Sequence, residues 1–148
     1  MATERRDKAD VEALMNSLLP FAKKMLGEHR EFFPFGGHMK SDGTVVWEGA
    51  HDGREQPPSQ DLIDLLHRSH QKQAQLKSIR ACATVYDIRT IPPNRTEKLD
   101  AIAVDLDHES GYSVVVIFPY SFTADGLLHV EPPFATKGKA AIFEQPRA

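Results

Sequence analysis

From Leu99 to Tyr120 the chain reads LDAIAVDLDHESGYSVVVIFPY, and its side chains repeat with a period of two. Ile102, Val104 and Leu106 fall on one side of an extended chain, and Ala101, Ala103, Asp105 and Asp107 fall on the other. Glu109-Ser110-Gly111 is turn chemistry, so the stretch predicts an antiparallel hairpin. Its second arm, YSVVVIFPY, is the most hydrophobic segment of the chain and belongs inside a sheet. The rest of the sequence must supply the layers that cover this hairpin.

Residues 3–28 predict a helix that Thr3 can cap, with Val11, Leu14, Met15, Leu18, Phe21, Ala22 and Met25 on one stripe. Pro20 interrupts the stripe and predicts a kink or break near residues 17–19, and Gly27 is a stop signal. EFFPFGGHMKSDG follows, then TVVWEGA, which together predict a hairpin turning at Ser41-Asp42-Gly43. Gly36-Gly37 inside the first arm predicts a β-bulge, or a place where another backbone comes close. After a polar loop over residues 51–58, Ser59 is the expected N-cap of a second helix running to about Lys77, with Leu62, Ile63, Leu66, His70 and Ala74 on one face. ACATVYDI is a further strand, TIPPNRTEK a loop, Ala124-Asp125-Gly126 a turn and LLHV a short strand. Residues 132–148 read as an irregular tail whose AAIF docks on the sheet or its rim.

The expectation is one α+β domain over residues 1–148, in the order α-β-β-α-β-β-β. It is a single antiparallel sheet with both helices packed against one face. Profilin-like and roadblock-like modules share this element order, an analogy of fold that carries no function.

A chain of 148 residues buries roughly 68–70% of its unfolded surface, enough for a core without staples. The formal charge of -3 offers no field for nucleic acid or an anionic membrane. Cys82 is the only cysteine, which excludes an intrachain disulfide and a cysteine-built zinc site. The charged start, with Glu4, Arg5, Arg6, Asp7 and Lys8, does not read as a secretory leader, and no run is long enough to span a bilayer. The expected compartment is the cytoplasm.

Four phrases, EFFPFGGHMKSDGTV, SQDLIDLL, LDAIAVDLDHESGYSVVVIFPY and FATKGKAAIF, occur in this order over most of the chain. Together they resemble a bacterial family of small proteins. The resemblance implies that the chain is a complete protein, and it implies no activity, cofactor or catalytic residue.

Candidate chemistry is sparse. Phe32, Phe33 and Phe35 could form an aromatic wall, with Gly36 and Gly37 admitting a ligand to the backbone and His38 supplying a polar contact. Alternating aromatics serve burial more often, so a strand with a bulge is the preferred reading. Asp105 and Asp107 lie about 7 Å apart on one strand face, a spacing that can share a cation or divide acid and base roles. A solvated strand face accounts for the same letters. His67 and His70 sit three residues apart on the second helix, yet nothing completes a metal site, so His70 reads as a hydrogen-bonded core histidine. Cys82 reads as buried. No nucleophile elbow, P-loop or dinucleotide fingerprint occurs. Arg68, Lys72, Lys77 and Arg80 make a basic stretch that reads as a solvated face, with an acidic counterpart between Asp100 and Glu109.

The leading functional expectation is a non-enzymatic protein acting through protein contact, as a homodimer or with a protein partner, without cofactor or metal. Were strand 112–120 or its hairpin neighbour to lie at a sheet edge, continuation of the sheet across a two-fold axis would cover it. The alternative is a ligand-binding protein or enzyme whose pocket lies between the FFPFGG bulge and Asp105/Asp107. In that case Phe35, Gly36, Gly37, His38, Asp105 and Asp107 would bind the ligand. A weaker alternative is an immunity or antitoxin protein.

Overall fold

A computed structural model describes residues 2–50 and 53–143, with side chains from residue 6 onward; Met1, His51, Asp52 and residues 144–148 lie outside it. It contains two helices, α1 (Ala2–His29) and α2 (Ser59–Gln75). Seven strands form one antiparallel sheet: β1 (Phe35–Lys40), β2 (Val45–Gly49), β3 (Ile79–Thr90), β4 (Leu99–His108), β5 (Ser113–Phe122), β6 (Leu128–Val130) and β7 (Phe134–Lys137). The strand order is β2-β1-β3-β4-β5-β6, and β7 pairs with another stretch of β5. The expected α+β class and single antiparallel sheet are therefore present. No described helix is long and apolar enough to cross a membrane.

The helices lie on opposite faces of the sheet, not on one. Val11, Leu14, Leu18, Ala22 and Leu26 of α1 pack with Phe35, Met39, Ala83, Val85, Ile102, Val104 and Leu106 in the main core. These sheet residues are all of one alternation phase. The other phase turns toward α2, which buries Leu62, Ile63, Leu66 and His70. Two apolar helix stripes thus divide the two sheet faces between them, and α2 crosses over β1 to lead from β2 into β3.

That arrangement explains the adjacent glycines, and they form no bulge. Pairing runs unbroken from Phe35 to Met39 against both β2 and β3; the one irregularity lies between Met39 and Lys40. A Cβ on Gly36 would meet Ala83 O at 2.6 Å and His70 Cε1 at 3.4 Å, beneath α2. A Cβ on Gly37 would meet Leu18 Cδ2 at 3.0 Å, beneath α1. Close approach from both sides requires two residues without side chains.

Several boundaries differ from expectation. α1 runs through Pro20 without interruption, because the stripes before and after it dock on the same core. It already includes Thr3, whose side chain lies outside the described set, and it ends past Gly27, with Arg30 at φ 61 and its N–H bonded to Leu26 O at 2.9 Å. Pro58, not Ser59, precedes the first turn of α2, and its carbonyl accepts from Asp61 N. Part of the expected irregular tail is β7, which adds backbone pairs to Val114–Ile117. Ile142 and Phe143 do dock, against Ile79 and Cys82. β5 is interior, as its hydrophobicity predicts, flanked by β4 on one side and by β6 and β7 on the other, and its hairpin partner β4 is interior too, so neither supplies a sheet edge.

Candidate functional site

The α2 side of the sheet is polar where α2 crosses it. Cross-strand register places His38, Cys82, Asp107 and Ser113 in one row and Glu48, Gly36, Thr84 and Asp105 in the next. Glu48 Oε1 lies 2.7 Å from His38 Nδ1 and 3.0 Å from His70 Nε2, so one carboxylate oxygen accepts from both imidazoles. His67, one helical turn before His70, brings Nε2 to 3.8 Å from Asp105 Oδ2. Ser113 Oγ donates to Asp107 Oδ1 at 2.8 Å. Asp105 and Asp107, for which a solvated strand face is one expectation, instead gather with Glu48, His38, His67 and His70 between helix and sheet.

The electrostatics of this layer are strained. Burial pushes the Asp107 carboxyl up to about 6, against the Ser113 hydrogen bond, and the Asp105 charge adds to the rise. Burial also raises Asp105, with Lys139 and His70 opposing it. Glu48 feels the same desolvation, but its bonds to His70 and His38 outweigh this and hold it below the ordinary value. Burial lowers His67, and it raises the Cys82 thiol, which makes Cys82 a poor nucleophile. His70 is fully buried, and its Nδ1 has no hydrogen-bond partner. An orphaned buried nitrogen is rare and calls for a physical account. Among the described residues no group of three or more His, Cys, Asp and Glu side chains has the geometry of a metal site.

A second polar cluster, invisible in the sequence, lies on the α1 side. Asp10 Oδ1 accepts from Arg80 Nη2 at 2.9 Å, and Asp10 Oδ2 lies 2.9 Å from His108 Nε2. The N–H of Ser110 donates to His108 Nδ1 at 3.1 Å, and Ser110 Oγ donates to Asp7 Oδ2 at 2.7 Å. The bond at Nδ1 places the imidazole proton on Nε2, facing Asp10. Serine, histidine and aspartate occur together here without forming a nucleophilic triad, because the hydroxyl is committed to Asp7 and not to the imidazole. Only Arg80 of the expected solvated basic stretch departs from that reading; Arg68, Lys72 and Lys77 are exposed.

Of the six residues of the expected pocket, Gly36, His38, Asp105 and Asp107 share the α2 face. Phe35 and Gly37 point the other way: Phe35 enters the main core, and Gly37 lies under Leu18. The intended cavity between the aromatic stretch and the Asp105/Asp107 strand is therefore not formed, since the sheet itself separates the two. Asp105 and Asp107 are not on a solvated face either, for Asp107 is buried and Asp105 nearly so.

The aromatic stretch opens outward elsewhere. Phe32 and Phe33 stand between two shallow grooves of about 330 and 340 Å³. Beside them Phe21 meets the edges of Phe35 and Trp47, with ring centres 5.0 and 5.7 Å away. Trp47 on β2 is half exposed, its indole N–H donating to Ser17 Oγ at 3.1 Å.

No family model, curated protein or solved structure matches this chain.

Proposed function

We propose that this chain is a non-enzymatic protein-contact module that self-associates, β2 pairing antiparallel with the same strand of a second copy. The observation that carries this reading is the character of β2. It ends the sheet, and by ladder alternation from the Lys40–Thr44 hydrogen bond, Val45, Trp47 and Gly49 turn their backbone N–H and C=O groups outward. Edge strands are ordinarily blunted by lysine, proline or outward charge. β2 reads VVWEG, and its one charge, Glu48, is turned under α2 and held by two histidines. On the α1 face β2 keeps Val45, partly buried against the main core, and the half-exposed Trp47, and the same strand of a second copy would lie beside both.

Light scattering at micromolar concentration tests this, with a dimer mass expected. Val45→Pro removes one outward N–H and leaves the β1 ladder intact, so the dimer should dissociate at least about tenfold more readily. A monomer at every concentration up to the solubility limit would refute the reading.

One observation favours a second reading, a small-molecule-binding protein or enzyme. His38, His67, His70, Glu48, Asp105 and Asp107 converge under α2, with His70 Nδ1 unpartnered and the Asp107 carboxyl raised, which is the pattern of a working site. Crystals of the purified protein showing an organic ligand against His70 Nδ1 would establish it, and a water molecule alone there would remove its support.

A further inference from the structure

The EFFPF segment presents more than an aromatic surface. The two grooves beside it share Glu31, Phe32 and Phe33 and differ in character. The first is mostly apolar, walled by Phe21, Met25, Pro34 and Phe35, with His29 also in its lining. The second is acidic, walled by Glu31, Asp87 and Asp100. Among the described residues of its lining Arg89 is the one base, 3.6 Å from Asp100, which leaves Glu31 and Asp87 without a cation in the lining. Asp87 is raised by desolvation and by Asp100, against the hydrogen bond from the Tyr120 hydroxyl. The wall is short of positive charge. Phe33, 48% exposed, is the ridge between the two grooves.

We propose that this double groove docks an extended segment of a partner protein that carries an apolar side chain directly beside a lysine or arginine. The apolar residue fills the cup against Phe21 and Met25, and the cation crosses the Phe33 ridge to reach Glu31, Asp87 and Asp100. Consecutive side chains of an extended segment diverge to opposite sides, which suits a ridge with one groove on each flank. Charge complementarity selects the basic neighbour, and the ring of Phe33 offers a further face to a guanidinium. Nucleic acid is disfavoured by the three carboxylates, and a compact small molecule would fill one groove and leave the other. The proposal rests on the protein-contact reading and names its partner chemistry, but it does not require the β2 dimer.

The test uses the full chain and three fluorescein-labelled peptides: Gly-Ser-Gly-Leu-Lys-Arg-Gly-Ser-Gly, a version with Glu-Glu for Lys-Arg, and a version with Ser for Leu. Fluorescence anisotropy should show the first binding at least about tenfold more tightly than either control, weakening as salt is raised. Amide shifts in heteronuclear NMR spectra should move at residues 31–35, 87–89 and 100. Phe33→Ser and Glu31→Lys alter exposed side chains, so both should keep the native spectrum and each lose at least about tenfold in affinity. Equal binding of all three peptides, or binding indifferent to both variants, would overturn the proposal. If mass grows beyond a dimer and Phe33→Ser stops it, the groove takes a second copy and the proposal also falls. Failure here with an intact, Val45-dependent dimer defeats the groove alone; a monomer that still binds the first peptide defeats the dimer alone.

Discussion

Two clusters of histidine and carboxylate lie on opposite faces of one sheet, and they are built to different standards. On the α1 side every hydrogen-bonding atom of the Asp10–His108 pair has a partner: Arg80 and His108 take one oxygen each, and Ser110 donates to the second imidazole nitrogen. On the α2 side one oxygen of Glu48 serves two imidazoles, His70 Nδ1 has none, and two carboxylates are held above their ordinary range. A closed network ties α1 to the β4–β5 turn and to β3. An open one stores unfavourable charge, an imbalance that structural networks carry less often than working sites do.

The largest expected effect tests the closed network. Asp10→Ala strands the Arg80 and His108 partners in a poorly solvated setting and should cost on the order of 3 kcal/mol, read by urea denaturation. A loss under about 1 kcal/mol would make the two clusters equivalent. Next comes Asp107→Asn, which should stabilise the fold. The folded carboxyl titrates near 6 against an ordinary 3.8, so its charged form is disfavoured by folding. The penalty is full above pH 6 and fades as acid protonates the group in both states. The variant should therefore gain about 2 kcal/mol at pH 8 and almost nothing at pH 4, measured as denaturation midpoints across that range. A gain that does not depend on pH would contradict the charge account. The smallest effect is expected at His70→Leu, which discards the orphaned nitrogen along with one of the two donors to Glu48. The losses and gains oppose each other, and the net change should stay within about 1 kcal/mol although the site is fully buried. A cost like that of Asp10→Ala would mean that the open cluster is structural after all.

The sequence foretold the strands and their phases better than the layers above them. The period of β4 correctly set Ile102, Val104 and Leu106 apart from Asp105 and Asp107, because alternation is local and needs no knowledge of neighbours. His70 was likewise legible as a core histidine from its place on the α2 stripe. Which face each helix covers was not legible, since it depends on how α2 crosses β1. Without that, Phe35 and Asp105 looked like partners in one pocket when the sheet stands between them. The Asp10–Arg80–His108 cluster joins residues 70 and 98 positions apart, and no short-range spacing announces it. β7 was lost among Pro132, Pro133 and Gly138, where four residues of FATK carry too little pattern to read.

The glycine pair in β1 has a mechanical consequence. At Gly36 and Gly37 the partition between the two helices is reduced to bare peptide, with Leu18 resting on one surface and the ring of His70 on the other. There is no cushion of side chains to absorb a displacement. A side chain added at either glycine would have to displace what rests there, Leu18 on the α1 side or the neighbours of the His70 ring on the α2 side, so this strand tolerates no thickening.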